Sequence, residues 1–236
     1  MLFNLLRDVF RGLRRVRPAK PAITAHEIAM YENLARLAGA GRLVAFDYVY
    51  RPRTRQWRVT PGLQRLAGML EAGETRYRAL LHEFAMLAPD LSEIPAAPAP
   101  DSSAPYWNNG WIPGLDAVSL CGFLKKYRPR TYLEIGSGNS TKFARWAIER
   151  FGLDTRLISI DPEPRAEIDD LCDEVIRVRC EDAPGSAFEQ LTPSDLLFVD
   201  NSHRAFPSSD VTVFFMEILL AYNPAAAPSG CAPAAG

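Results

Sequence analysis

From residue 116 to residue 222 the chain alternates short apolar runs with longer stretches whose apolar residues recur every three or four positions. Tyr132 to Ile135 is a compact apolar run, and Phe143, Ala144, Ala147, Ile148 and Phe151 then mark one face of a helix. A second run, Arg156–Ile160, ends in Asp161 and is followed by a short helical stretch near 165–171. A third run, Val175–Val178, leads to Glu181-Asp182, and a fourth, Asp195–Val199, ends in Asp200. The next helix carries Val211, Phe214, Phe215, Ile218, Leu219 and Tyr222, and a lead-in helix covers about 116–127. Apolar strands alternating with amphipathic helices predict a parallel sheet covered on both faces, a Rossmann-like, doubly wound α/β fold.

The first hundred residues read differently. Residues 2–16 place Leu2, Phe3, Leu6, Val9, Phe10, Leu13 and Val16 at helical spacing with arginines between them. Residues 1–20 are therefore expected to form a basic amphipathic helix that can meet an anionic membrane surface or pack on protein. Thr24-Ala-His-Glu27 predicts a capping box for a helix to about Leu37. Val44 to Tyr50 alternates as a strand that Gln56–Thr60 could pair as a hairpin. Tyr77, Leu80, Leu81, Phe84 and Leu87 share a further helical face. Residues 21–94 thus predict a small, mainly helical N-terminal domain. Pro95 to Pro105 reads as a proline- and alanine-rich linker, and 106–222 as the ligand-binding domain. The aromatic segment Tyr106 to Pro113 suits either a lid over a pocket or a strap across the core.

Composition narrows the partners. The 236 residues carry a formal net charge of -1 with 23% charged residues, so no overall field recruits nucleic acid. The four cysteines lack metal-ligand or C-x-x-C spacing, which favours a reducing compartment and a cytoplasmic chain, peripheral at the membrane if residues 2–16 dock there. Apolar runs are too short to span a bilayer, and arginines interrupt the N-terminal apolar positions as they would not in a secretory signal.

Chemistry concentrates where the strands end. Gly136-Ser137-Gly138 joins the first strand to a helix, a turn whose glycines let backbone approach a nucleotide-like ligand closely. Glu134, two residues earlier, would repel a pyrophosphate and suits a cationic ligand. Asp161 lies 23 residues beyond Gly138, near the offset at which a carboxylate grips ribose hydroxyls. Ser137 and Ser140 add hydrogen-bonding groups at the helix start, Asp182 can accept from an adenine amino group, and Asp200 closes the fourth strand.

Glu134-Ile-Gly-Ser-Gly, Asp161, Glu181-Asp182 and the Asp200-Asn-Ser-His203 loop together resemble class I S-adenosylmethionine (SAM)-dependent methyltransferases. The likeness is to a bacterial subgroup whose loop after the fourth strand reads Asp-Gly-Ser-His. The resemblance covers roughly 106–222 and implies SAM as cofactor and methyl transfer, as O-methylation, to a small-molecule acceptor. Glu134, Gly136, Ser137, Gly138, Ser140, Asp161, Asp182 and Asp200 are then the cofactor-binding residues. His203 and Asp200 are the catalytic ones: the histidine takes a proton from the acceptor, and the aspartate either holds it or takes a divalent ion. No metal centre is otherwise expected. Asn139 stands where many relatives carry a third glycine.

After Tyr222-Asn223-Pro224 the sequence loses apolar periodicity, so 223–236 is expected to be a disordered tail and the sheet C-terminally incomplete. The chain reads as shortened after the fourth strand and its helix, which would leave that strand as an edge for an oligomer partner to cover and impair turnover. Two further functions fit more weakly: a non-catalytic SAM- or nucleotide-binding module docked to a membrane or protein, and a nicotinamide-dependent oxidoreductase.

Overall fold

The computed structural model describes residues 25–44, 49, 51, 53–54, 60–100 and 103–222. The basic N-terminal segment, Thr24 of the expected capping box, most of the expected hairpin and the tail from 223 lie outside them. The chain divides into two compact units, residues 1–64 and 65–236. In the first, helix α1 (Ala25–Gly39) ends in a turn through Gly41 at φ +68, where the Arg42 amide donates to Leu37. Helix α2 (Pro61–Ala72) begins at the end of this unit and runs into the second. Its start has Thr60 ahead of it, a hydroxyl accepting from the Leu63 amide, and proline at the first helical position.

Helix α3 (Glu74–Ala85) and the short α4 (Ala88–Leu91) lie against α5 (Gly114–Tyr127). The Phe84 ring rests on Gly122, where a Cβ would stand 2.3 Å from the ring, and meets Phe123 edge-on at 5.1 Å. Of the helical face anticipated around Tyr77, only Phe84 and Leu87 are buried, while Tyr77 and Leu81 are exposed.

Leu87, Leu91 and Ile94 share one core with Leu120, Leu124, Tyr132 and Phe143. Asp90 accepts from Lys125 on α5 and from Arg150 at the end of α6 (Asn139–Arg150). The segment 95–105 is therefore not the domain boundary its composition suggests. Residues before it complete the core that residues after it build, and the Trp107 and Asn108 amides donate back to Pro95 and Ala96.

Four parallel strands form the sheet: β1 (Thr131–Ile135), β2 (Arg156–Ile160), β3 (Glu174–Ile176) and β4 (Leu196–Val199), in the order β3-β2-β1-β4. That order matches the first four positions of the Rossmann arrangement, with the topological switch between β1 and β4. Pairings Glu134↔Ser159 and Glu134↔Phe198 fix the register of the strand ends. At the other end, Asp195 accepts from the Thr131 and Thr192 amides, tying the start of β4 to β1.

Period-two alternation sends Tyr132 and Glu134 toward α6, and Leu133 and Ile135 to the opposite face with Phe188 and Phe214. The expected helix near 165–171 reduces to a 3-10 turn, Asp169–Leu171. Pro162 and Pro164 restrict its approach, and the Arg165 amide is spent on Ser137 instead. The short α7 (Ser186–Glu189) precedes β4, and the last helix changes pitch along its length: α8 (Asp210–Val213), a π segment (Phe214–Ile218) and α9 (Leu219–Tyr222). Phe214 is buried and Ile218 and Leu219 pack on the same cluster, leaving Phe215 exposed.

If residues 87–94 belong to the sheet unit, Leu91→Ala should remove about 2–4 kcal/mol from its unfolding free energy in a denaturant titration. An unchanged midpoint would return the boundary to 95–105.

Candidate functional site

The site grows from the turn between β1 and α6. Gly136 stands at φ +80, and a Cβ there would lie 2.0 Å from the Asp200 carbonyl oxygen, so no other residue fits without moving β4. The close approach is fastened on both sides: the Gly136 amide donates to Ile160 at 3.1 Å, and the Asp200 amide donates to Ile135 at 2.8 Å. Three strand ends therefore converge on one glycine.

Asp161, at the end of β2, is built into this turn. Its Oδ2 accepts from the Ser137 amide at 2.6 Å and its Oδ1 from the Glu163 amide at 2.8 Å. Ser137 Oγ meets Ser159 Oγ at 2.6 Å. Each Asp161 oxygen has a second lone pair, so the carboxylate can hold the loop and still accept from a ligand hydroxyl.

Glu134 is fully buried, at 0% exposure, beneath the first turn of α6. Thr141 Oγ1 donates to its Oε2 at 2.6 Å and accepts from the Gly138 amide at 3.0 Å, which locks carboxylate, glycine turn and helix start together. Glu134 Oε1 has no hydrogen-bond partner among the described residues, nor has the Tyr132 hydroxyl on the same face of β1. Burial pushes the Glu134 carboxyl up to about 7, against the pull of the Ser140 and Thr141 hydroxyls; Asp200 and Asp161 raise it further. Burial also raises the Tyr132 phenol well above its ordinary range, with Glu134 adding to the effect. Thr141 is a residue the sequence reading missed. Its signal was a hydroxyl three residues beyond the second glycine, at the spacing of a helix-start hydrogen bond.

Beyond β4 the chain turns through His203 at φ +59, a left-handed position that histidine tolerates better than most residues. His203 Nε2 lies 2.8 Å from Asp200 Oδ1, and both side chains face solvent in part. Asp210 holds this loop from α8, accepting from the Ser202 amide and hydroxyl at 2.6 Å each. Asn201 Nδ2 is buried there without a partner among the described residues.

Glu134, Gly136, Ser137, Gly138, Ser140, Asp161 and Asp200 thus gather at one end of the sheet. Asp182 stands apart. It sits in the 3-10 turn Cys180–Asp182, is largely exposed, and pairs with Arg179 at 2.7 Å rather than with any of these groups. Its neighbour Glu181 is the more enclosed of the two.

The aromatic segment divides its labour. Asn109, nearly buried, donates to Tyr106 O and accepts from the Trp111 and Ile112 amides, folding the segment into a rigid turn. Trp107 packs on Phe143 at 5.4 Å as part of the core, whereas exposed Trp111 stacks with Arg165 at 4.7 Å. Arg165 adjoins Gly138 and donates its amide to Ser137 O, so Trp111 reaches the rim of the glycine turn through it. Nothing in the spacing of the sequence foretold that pair.

A carboxyl held near 7 but ordinarily near 4.5 has a stability signature. The folded state binds more protons than the unfolded one between these values, so this group lowers stability as pH rises from about 4.5 to about 7, by up to about 3 kcal/mol. Glu134→Gln should therefore gain on the wild type over that interval in denaturant titrations. A stability difference independent of pH would contradict the buried, elevated carboxyl.

Among the described residues, no cluster of three or more histidine, cysteine or acidic side chains is arranged to hold a metal ion. No described helix is long and apolar enough to cross a membrane. Residues 133–230 match a family model described as a methyltransferase domain, a stretch that begins inside β1 and takes in the glycine turn, the remaining strands and the last helix. No curated protein and no solved structure gave a significant match. The sheet unit is Rossmann-like, and over residues 133–230 it is similar to methyltransferase domains.

Proposed function

We propose that this chain is a SAM-dependent methyltransferase that methylates a hydroxyl of a small-molecule acceptor. The observation that carries the reading is the buried Glu134 carboxyl under the glycine turn, one oxygen fixed by Thr141 and the other without a partner among the described residues. An anion at that position opposes a pyrophosphate and favours the ammonium end of a sulfonium nucleoside. The match of residues 133–230 to a methyltransferase domain supports the same reading.

The residues present fit such a cofactor. Asp161, already anchored to the turn, has lone pairs left for ribose hydroxyls, and Gly136 and Gly138 keep side chains out of the approach. Asp182 or Glu181 would serve the adenine edge, with Asp182 first having to share or leave Arg179. When bound, the cofactor supplies a methyl group on a sulfonium, with a good leaving group already built in. What remains for the protein is positioning and removal of one proton. As a carboxylate, Asp200 only accepts, so Nε2–H of His203 donates to it and Nδ1 keeps a lone pair for the acceptor hydroxyl. Asp200 then steadies the imidazolium that forms, a role that requires no metal ion.

Titration calorimetry with S-adenosylhomocysteine and with NAD tests the assignment. S-adenosylhomocysteine should bind, and Asp161→Asn should weaken it by about tenfold or more while leaving the folded state intact by circular dichroism. Strong NAD binding without response to the sulfur nucleoside would overturn the reading.

A further inference from the structure

The face of β1 beneath α6 holds an unresolved electrostatic balance. Glu134 and Tyr132 lie two residues apart, both at 0% exposure, and neither Glu134 Oε1 nor the Tyr132 hydroxyl has a geometric hydrogen-bond partner among the described residues. A buried carboxylate must be paired or must take a proton, because its charge in a poorly polarisable interior otherwise costs several kcal/mol. The groups around it offer hydroxyl hydrogen bonds but no opposite charge. From the ends of β4 and β2 the nearest charged influences are Asp200 and Asp161, both anionic. From α6 come the Ser140 and Thr141 hydroxyls, and from β1 the neutral Tyr132 phenol. The Cys172 thiol also feels Glu134; it is held up to about 12, chiefly by burial, and so stays neutral.

We infer that Glu134 is a proton-exchange site for ligand recognition, neutral in the ligand-free protein and ionised when the ammonium end of a ligand is seated at the glycine turn, so that uptake expels one proton. This rests on the sulfonium-nucleoside reading and adds what that reading leaves open, the coupling of recognition to pH. The exchange balances: the carboxyl O–H bond breaks, its proton passes to solvent, and the negative charge left behind is compensated by the incoming cation. Because Glu134 is sealed under α6, the coupling runs through charge across a short, low-dielectric path and not through an open contact. Elevation of the carboxyl to about 7 sets the window. Below it, binding must first remove the proton; above it, the carboxylate is already free.

Calorimetry of S-adenosylhomocysteine into the full chain, in two buffers of different ionisation enthalpy, reads the proton directly. Close to one proton should be released at about pH 6, falling toward none by about pH 8, with affinity rising about tenfold across the same span. Glu134→Gln should abolish both the release and the pH dependence, which assigns them to this carboxyl and not to His203. The wild-type measurement stands alone if that variant does not fold. Binding with no buffer dependence and a flat affinity would overturn this inference alone, as would proton release that persists in Glu134→Gln. Absence of binding at every pH would remove the sulfonium-nucleoside reading and this inference with it.

Discussion

A carboxylate buried under a glycine turn governs the organisation of the sheet unit. Glu134 holds the last position on the α6 side of β1, where Thr141 reaches back to it from the first turn of α6. The same hydroxyl accepts from the Gly138 amide, so the strand, the turn and the helix are set by one group. The neighbouring strands follow: Ile160 takes the Gly136 amide, Asp200 donates to Ile135, and Asp161 takes the Ser137 amide. Acidic residues at three adjacent strand tips are thereby drawn around a turn that has no room for a side chain. The arrangement places acidic groups close to where backbone can meet a ligand, and their ionised form selects for cations.

Support for that end of the sheet comes from far away in sequence. Leu87, Leu91 and Ile94 fill the space beneath α5 and α6, and Asp90 and Glu93 clamp Arg150 at the end of α6. The helix that carries Thr141 is therefore held at both ends, by the turn at its start and by α4 and its flank at its finish. On the opposite face, Phe188 and Phe214 pack under Leu133 and Ile135. The π segment at Phe214–Ile218 lets Phe214 point inward and leaves Phe215 outside.

The sequence made legible what local pattern controls. The β1 run, its two glycines and the helical face at Phe143, Ala147 and Ile148 are short-range signals, and so are the acidic residues closing β1, β2 and β4. Composition misled at 95–105, because prolines report local backbone preference while the burial of Leu87 and Leu91 depends on residues from Ala117 onward. The Asp182 assignment met a different obstacle: a carboxylate three residues from an arginine has a partner in its own turn. The π register of the last helix, the Trp111–Arg165 stack and the Thr141 bridge depend on three-dimensional placement, and spacing alone carries little trace of them.

The central claim is that Glu134 is a buried acid whose charge awaits a cation. Carbon-13 NMR of the glutamate carboxyl carbons, titrated with and without S-adenosylhomocysteine and assigned with Glu134→Gln, observes that group alone. The account predicts a midpoint near 7 in the free protein that falls by about two units or more in the complex. An ordinary midpoint near 4.5 in the free protein, unmoved by ligand, would contradict it.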